Sequence, residues 1–379
     1  MGVELVAVEA MLDKIHPSLP SARDKNSYTL GRMGAHNIVI AVMPEIGNNQ
    51  AANVAIQLLN DFKSIRFGLL VGIGGGIPVK GEYDIRLGDV VVSKPTTTFG
   101  GVVQFDRGKL HTDGRFERTG TLNKPPPVLL ANVQKLQAQQ KRVGNQISKY
   151  LSEMLERYPT MKDEQYFYQG ADHDLLFEAT YHHQGGNSCR GCDRSKVIDR
   201  TPREMTSPRI HYGAIGSANW VVKDAATREK LKEDLGIICV EMEAAGLMDE
   251  FPCLVIRGIC DYADSHKNKR WQPYAAATAA AYAKELLLII PAAEAATTGC
   301  AASYNKHYYV PYNLSGIFTG RGDVLQKLHD GCLPPKPDGR LTEQKRFVLY
   351  GLGGSGKTQS CIKFAQDHQE RWALEFRTF

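Results

Sequence analysis

The chain has 379 residues, of which 42% are hydrophobic and 23% charged, a balance that excludes an intrinsically disordered protein. The net charge is +5, and most of it comes from residues 296–379, which hold eleven basic and seven acidic side chains. Because the larger part of the chain is nearly neutral, the composition argues against nucleic acid as a partner.

The N-terminus and the cysteines indicate an intracellular, cytoplasmic protein. Residues 1–12 carry Glu4 and Glu9 where a secretory signal would be apolar. The most apolar window, residues 282–296, is interrupted by Lys284 and Glu285, so we predict no membrane span. The eight cysteines are scattered irregularly, which is typical of reduced thiols.

Short apolar runs and helical patterns alternate along the chain. FGLLVGIGGGIP (67–78) predicts a buried strand that ends in a glycine turn, and GDVVVSKP (88–95) predicts a second strand. Apolar residues from Val133 to Leu155 keep helical spacing and predict one amphipathic helix. Residues 159–208 lack periodicity, so we expect a long insertion, spanning about 125–208.

Two further strands, ICVE (238–241) and CLVIRGIC (253–260), precede an alanine-rich helix that ends before Pro291. This order predicts a three-layer α/β domain over residues 1–295 whose sheet binds ligands at its strand ends. Residues 296–315 are expected to form a linker.

Carboxylates follow both of these strands. CVEMEAAG contains Glu241 and Glu243, and GICDYADSH contains Asp261 and Asp264. Cleavage of an N-glycosidic bond requires an acid that protonates the leaving base and a charge beside the cationic sugar. Separate carboxylates in separate roles are therefore the residues that this chemistry needs.

The sequence resembles the purine nucleoside phosphorylase and methylthioadenosine nucleosidase superfamily, and within it the fungal NLR-like proteins that place such a domain before a nucleotide-binding module. The resemblance covers about residues 1–290. It rests on the runs VGIGGGIP, RLGDVVVS, CVEMEAAGLM and LVIRGICDYADSHKNKRWQPYAA. It implies a nucleoside phosphorylase-like fold with a mixed central sheet, a homo-oligomer, and no cofactor for the catalytic domain.

The same resemblance implies roles for individual residues. Glu243 would bind the ribose hydroxyls, Met242 would pack on the sugar, and Asp261 would protonate the purine ring nitrogen. The carboxylate that activates water in the nucleosidases would be Glu4, with Glu9 as the second candidate. The family's first strand normally precedes this acid, so we expect an N-terminal truncation. The alternatives are a helix-capping Glu243, an Asp261 that only ends its strand, and an exposed acid in a first helical turn.

The family's phosphorylases hold phosphate with an arginine and a serine, and the corresponding positions here are Leu70 and Ile73. Neither side chain can donate a hydrogen bond, so water is the expected nucleophile. Arg86 or Arg107 could replace the missing arginine, and phosphorolysis therefore stays the alternative. The glycines of this run, which allow close backbone approach to the ribose, are Gly72, Gly74, Gly75 and Gly76.

A basic run follows the candidate acid. Lys267, Lys269 and Arg270 could hold a 5′-phosphate chain, in which case ATP or dATP would be cleaved; the alternative is a solvated charge run. Trp220 and Val221 resemble the family's base-pocket positions, and a core role for Trp220 is the alternative.

The run YHHQGGNSCRGCDR contains a C-x-x-C motif, which can hold zinc in one tight turn. The candidate ligands are His182, His183, Cys189 and Cys192. Reduced surface thiols are the alternative.

Near the C-terminus, RFVLYGLGGSGKTQSCIKFA predicts a strand, a phosphate-binding loop and a helix that would hold ATP and Mg²⁺. The loop residues are Gly351, Gly353, Gly354, Gly356, Lys357 and Thr358. With the upstream FTGR, which ends at Arg321, it resembles the start of an NB-ARC or NACHT-like module. Because the chain ends 21 residues after Thr358, we predict a partial P-loop NTPase segment over 316–379, without independent ATPase activity.

These observations predict a purine nucleosidase that releases the free base from a nucleoside or nucleotide. Two alternatives stay open: a purine nucleoside phosphorylase, and a non-catalytic nucleoside-sensing module of an immune-receptor-like protein.

Overall fold

The computed structural model describes residues 2–17, 26–186, 188–291 and 322–332, together with residues 360, 363 and 364. The chain divides into two compact units, Met1–Cys300 and Ala301–Phe379. The second unit contains the helix α8 (Gly322–Cys332). All residues of the P-loop motif, from Gly351 to Thr358, lie outside the described residues.

The first unit is an α/β domain. Its elements up to the insertion are α1 (Gly2–Ala10), β1 (Lys14–Ile15), β2 (Tyr28–Met33), β3 (His36–Ala41), α2 (Asn48–Asp61), β4 (Gly68–Gly76), β5 (Val90–Ser93), β6 (Val102–Gln104), β7 (Gly108–Leu110), β8 (Phe116–Arg118), α3 (Pro127–Val143), α4 (Ile147–Arg157) and α5 (Thr160–Asp163). After the insertion come β9 (Ile210–Ser217), α6 (Ala225–Leu235), β10 (Ile237–Glu241), β11 (Cys253–Asp261) and α7 (Gln272–Ile289).

The central sheet has six strands in the order β10-β4-β11-β5-β9-β6 and is mixed. β4 and β11 run parallel, as do β5 and β9, whereas β10 pairs with β4 and β11 pairs with β5 in the antiparallel sense. Because β10 also pairs with β9 in parallel, five of the strands close into a ring. β1, β2 and β3 form a separate antiparallel sheet, and β7 with β8 forms a hairpin.

The core lies between the central sheet and the helices. All nine residues of β11 and all four of β5 are buried, as expected for strands covered on both faces. α7 is buried along most of its length, because its alanines let the helix approach β11 and β4 closely. Among the described residues, no helix combines the length and the apolar character that crossing a bilayer requires.

The predicted strands are confirmed, but two local predictions were wrong. The glycines of FGLLVGIGGGIP do not form a turn, because β4 continues through Gly76 and pairs there with β10. The single helix predicted from Val133 is two helices, α3 and α4, which separate at Gly144. Gly144 has a φ of +77°, a left-handed value that ends a helix at little cost for glycine.

Residues 125–163 of the predicted insertion contain the helices α3, α4 and α5. The remaining segment between α5 and β9, called the insertion from here on, has little regular structure in its described part. It contains three single 3-10 turns and one isolated bridge, which pairs Phe177 with Val197. A buried ion pair connects it to the sheet: Arg203 donates to both carboxylate oxygens of Asp89, at 2.7 Å each. Asp89 also accepts from His211, at 2.9 Å, so this group, the Asp89 cluster, fastens the insertion to β5 and β9.

Candidate active site

The ends of β4, β10 and β11 meet at one place. In the sheet, Gly75 of β4 pairs with Asp261 of β11 on one side and with Val240 of β10 on the other. This pairing brings together the acids at the ends of β10 and β11, although about 20 residues separate them in the chain. A side chain at Gly75 would lie 2.9 Å from Oδ1 of Asp261, so the glycine leaves room for that carboxylate.

A buried arginine lies under this junction. Arg257, on β11, is 2% exposed and donates to Glu241 at 2.5 Å and to Glu243 at 3.0 Å. Its Nη1 is also 3.9 Å from Oε1 of Glu4. Three acids thus surround one cation, and we refer to Glu4, Glu241, Glu243 and Arg257 as the carboxylate cluster. Burial alone would lower the pKa of the guanidinium, but the carboxylates raise it above its ordinary value.

Glu241 has a structural role, whereas Glu243 keeps one carboxylate oxygen available to a ligand. Glu241 accepts from the backbone N–H groups of Glu243 and Ala244, so it is Glu241 that caps the short turn after β10. Glu243 uses only Oε2, which accepts from Arg257 and from the N–H of Met242. Its Oε1 makes no hydrogen bond within the described part of the chain and can accept one from a ligand hydroxyl. The alternative of a helix-capping Glu243 is therefore wrong.

Burial and neighbouring charge shift the titration of Glu243. Burial raises its pKa to about 7, the charges of Glu241 and Glu4 add to the rise, and Arg257 opposes it. The cluster therefore carries more negative charge than its one arginine neutralises. A site that favours positive charge beside it suits an oxocarbenium-like sugar.

Glu4 reaches this cluster from the first turn of α1. Its Oε1 accepts a hydrogen bond from the N–H of Ile73 at 2.9 Å, on the edge of β4. A side chain at Gly72 would collide with both Glu4 and Arg257, which explains the glycine there. The second candidate, Glu9, is instead bound to the hydroxyl of Thr29 at 2.5 Å. Of the two N-terminal acids, it is Glu4 that lies at the cluster.

Asp261 ends β11 in a tight turn. Its Oδ1 accepts from the N–H of Ala263 at 2.9 Å and lies 3.2 Å from Nζ of Lys267. Its Oδ2 accepts only from the weak thiol donor of Cys260, at 3.3 Å, among the described residues. Ala263 has a φ of +52°, an uncommon conformation for a residue with a side chain, and such strain is concentrated at functional sites.

The predicted substrate residues lie at different distances from the acids. Met242 is half-buried between the two glutamates. Trp220 is 46% exposed and meets only the edge of Phe105 in the ring contacts of the described chain, so the alternative of a core residue is wrong. Val221 is 45% exposed beside it.

The basic run does not form one cluster at the acids. Lys267 is half-buried against Asp261 and also donates to the carbonyl of Val222, at 3.4 Å. Lys269 and Arg270 are exposed. Only Lys267 of the three is in contact with the candidate acid.

Sequence reasoning missed the central residue of the site. Arg257 stands in the middle of the run CLVIRGIC, where a charge among buried strand residues was the available signal. The motif around Glu241 implies no role for this residue. Neither its contact with Arg257 nor its capping bonds can be derived from spacing along the chain.

The positions that would hold phosphate in a phosphorylase are apolar and packed. Leu70 is half-buried against the core, and Ile73 is 8% exposed with its N–H already bound to Glu4. Arg86 is paired with Asp84 and with the carbonyl of Thr201, so it is not available at the carboxylate cluster.

A cavity of about 670 Å³ lies elsewhere, between the insertion and β5, and is lined by Arg86, Asp89, Asp174, Arg200 and Arg203. Two ion pairs lie within its lining: Arg200 pairs with Asp174 at 3.0 Å and Arg203 pairs with Asp89. We therefore locate the candidate site by the unbalanced acids rather than by this cavity.

Three of the four predicted zinc ligands lie close together. The ligand atoms of His183, Cys189 and Cys192 all lie within 4.8 Å of one another. His182 is exposed and lies outside this group.

The fold and the site define a class of α/β protein in which acidic residues gather at the strand ends of a mixed central sheet. Residues 1–290 match the family model described as "Phosphorylase superfamily". The chain therefore belongs to this superfamily of nucleoside phosphorylases and nucleosidases.

The chain is similar to several known proteins. An NLR-like protein of Hyaloscypha variabilis is 43% identical over 96% of the chain, and a 5′-methylthioadenosine/S-adenosylhomocysteine nucleosidase of Mycobacterium bovis is 32% identical over 22% of it. The matches span 35% of the length of each of these relatives. A Helicobacter pylori 5′-methylthioadenosine/S-adenosylhomocysteine nucleosidase, solved in complex with a substituted pyrrolidin-3-ol, has a TM-score of 0.49 at 17% identity, covering 76% of this chain and 94% of that one.

Proposed function

We propose that this domain hydrolyses the N-glycosidic bond of a purine nucleoside or nucleotide and releases the free base. The observation that carries the proposal is the junction of β4, β10 and β11, where Asp261 ends β11, Glu241 ends β10 and Glu4 of α1 accepts from the backbone of β4. The junction supplies a proton donor for the base and a negative environment for the sugar, the two requirements of this cleavage.

Three acidic residues have separate roles in the proposed reaction. Asp261 gives a proton from Oδ2 to a ring nitrogen of the purine, and the C–N bonding electrons leave with the base. Oε1 of Glu243 accepts a hydrogen bond from a ribose hydroxyl. Glu4 takes a proton from the water that attacks the anomeric carbon. One proton leaves Asp261 and one arrives at Glu4, so the reaction balances without a cofactor.

Water is the nucleophile that the site favours. The side chains of Leu70 and Ile73 offer no donor to an anion, and the amide of Ile73 is bound to Glu4. The excess negative charge of the cluster would also repel phosphate. The mycobacterial relative, named as a nucleosidase, supports hydrolysis as well.

A second function is favoured by the 43% identical relative, which is named NLR-like. In this alternative the domain binds a purine nucleoside without cleaving it and serves as the sensing module of a larger receptor-like protein. The two candidates differ in one measurable property, the release of base from bound nucleoside.

The test is chromatographic detection of free base with the full chain, using adenosine, inosine, guanosine, methylthioadenosine, ATP and dATP. We expect release without added phosphate, and a decrease of about 10²–10⁴-fold in Asp261→Asn, because general acid catalysis contributes that much. The matched control is Asp113→Asn, an exposed aspartate of the β7–β8 hairpin, which should keep wild-type activity.

Each other outcome is informative. Release that requires phosphate would replace hydrolysis by phosphorolysis. Binding of purine nucleoside by calorimetry, without release by the wild type, would favour the sensing module and overturn the enzyme proposal.

A further inference from the structure

We propose that the insertion binds one structural Zn²⁺ through His183, Cys189, Cys192 and His266. The first three ligand atoms lie within 4.8 Å of one another. In a tetrahedral site with Zn–S of about 2.3 Å and Zn–N of about 2.0 Å, neighbouring ligand atoms are roughly 3.5–3.8 Å apart. The three groups are therefore within a small side-chain adjustment of zinc geometry.

The local backbone favours this arrangement. Residues Cys189–Gly191 form a 3-10 turn, and the N–H of Cys192 donates to the carbonyl of Cys189 at 3.3 Å. This turn brings the two thiols of the C-x-x-C motif to the same side. Both cysteines are free thiols.

His183 is held by two contacts. Its backbone N–H donates to the hydroxyl of Ser265 at 3.0 Å, and its Nε2 lies 3.3 Å from the carbonyl of Ser188. A carbonyl can only accept, so Nε2 carries the proton and Nδ1 keeps its lone pair. A histidine that donates its second ring N–H to a carbonyl is the usual form of a metal ligand.

His266 supplies an independent observation. It is only 6% exposed, yet neither ring nitrogen has a hydrogen-bond partner among the described residues. Its Nδ1 is 3.7 Å from the carboxylate of Asp264, beyond hydrogen-bond range but on the side where a carboxylate orients a metal-bound histidine. A buried imidazole without partners is costly, and a metal on Nε2 removes that cost.

The ring of His266 is next to the other ligands. It lies 5.5 Å from the ring of His183, centroid to centroid, and its carbonyl accepts from the thiol of Cys189 at 3.8 Å. Because His266 is outside the 4.8 Å group, its side chain must shift toward the other three ligands to complete the tetrahedron. Two thiolates and two neutral histidines leave the bound Zn²⁺ site without net charge.

Such a site would connect the insertion to the candidate acid. His266 follows Asp261 by five residues, and Lys267, the partner of Asp261, comes next. The zinc would thus anchor the turn that carries Asp261 to a loop that has little hydrophobic core of its own. Its role is structural, since all four positions are filled by protein.

The test is zinc content, measured by mass spectrometry of metals on the dialysed full chain. We expect close to one Zn²⁺ per chain in the wild type and a loss of at least tenfold in Cys189→Ser and Cys192→Ser. His182→Ala is the matched control: it removes the neighbouring histidine and should keep the metal. His266→Ala should release zinc to a competing chelator at least tenfold faster than the wild type.

A second measurement on the wild type does not depend on whether the variants fold. Replacement of zinc by Co²⁺ should give the thiolate charge-transfer and visible bands of a tetrahedral S₂N₂ site. A metal-free wild type, a Cys189–Cys192 disulfide in the purified chain, or an octahedral cobalt spectrum would overturn the proposal. If His266→Ala released zinc to the chelator at the wild-type rate, His266 would not be the fourth ligand. None of these results depends on base release, so the proposal stands or fails separately from the enzymatic one.

Discussion

Two buried ion clusters of this domain use similar residues in opposite proportions. In the Asp89 cluster, one carboxylate accepts from Arg203, from His211 and from the backbone of Arg86 and Arg209. In the carboxylate cluster, one arginine serves three acids. The negative charge of Asp89 is compensated in the first cluster, whereas negative charge is in excess in the second.

The pKa values follow this difference. Burial alone would raise the pKa of Asp89, but Arg203 and His211 lower it below 3.8, whereas burial and like charges raise that of Glu243 to about 7. A compensated cluster stabilises the fold. An uncompensated one costs stability and provides a field that a cationic transition state can use.

The largest expected effect comes from removing the cation of the carboxylate cluster. Arg257→Leu leaves Glu241 buried without its counter-charge, and we expect the free energy of unfolding to fall by about 3–5 kcal/mol. Urea unfolding followed by circular dichroism measures this. Arg115→Leu, an exposed arginine, is the control and should change it by less than about 0.5 kcal/mol. A similarly small loss for Arg257→Leu would mean that the cluster is not held by this ion pair.

The Asp89 cluster gives the next effect. Asp89→Asn weakens the bonds to Arg203 and His211, so we expect a loss of about 2–3 kcal/mol at pH 7. Because the folded pKa of Asp89 is below its unfolded value of 3.8, its stabilisation is complete above pH 3.8 and is lost as the pH falls through the folded pKa. The gap between variant and wild type should therefore close in acid. A gap that is constant with pH would contradict the assigned charge.

Glu243→Gln tests a pH dependence of stability that is opposite to that of Asp89. The folded pKa of about 7 exceeds the unfolded value of 4.5, so the glutamate's contribution is complete below pH 4.5 and is lost as the pH rises to 7. Relative to the variant, the wild type should lose on the order of 2–3 kcal/mol between these pH values. Glu153→Gln, an exposed glutamate of α4, should give a curve parallel to the wild type.

The smallest expected effects concern the basic run. Lys269 and Arg270 are exposed, so methionine at either position should change the KM for adenosine and for ATP by less than about twofold. Steady-state kinetics with both substrates checks this. A selective rise of the KM for ATP would instead show that these cations hold a phosphate chain.

The resemblance and the hydrophobic pattern predicted much of the domain. The strands at 68–76, 90–93, 237–241 and 253–261 were expected from their apolar runs, and so was the alanine-rich helix. Local errors occurred where tertiary pairing overrides local preference. The glycines of β4 are strand residues because β10 and β11 pair with them and because Arg257 and Asp261 occupy the space of their missing side chains.

The sequence by itself determined the superfamily, four strands of the central sheet with the alanine-rich helix, and the acids Glu4, Glu243 and Asp261 as candidates, because motifs and periodicity are local properties of the chain. Only the tertiary structure decided that Arg257 joins Glu4 to Glu243, that Lys267 faces Asp261, and that His183 rather than His182 lies beside the C-x-x-C thiols. These contacts form between residues far apart in the chain, and strand pairing and burial bring them together. No spacing along the sequence encodes them.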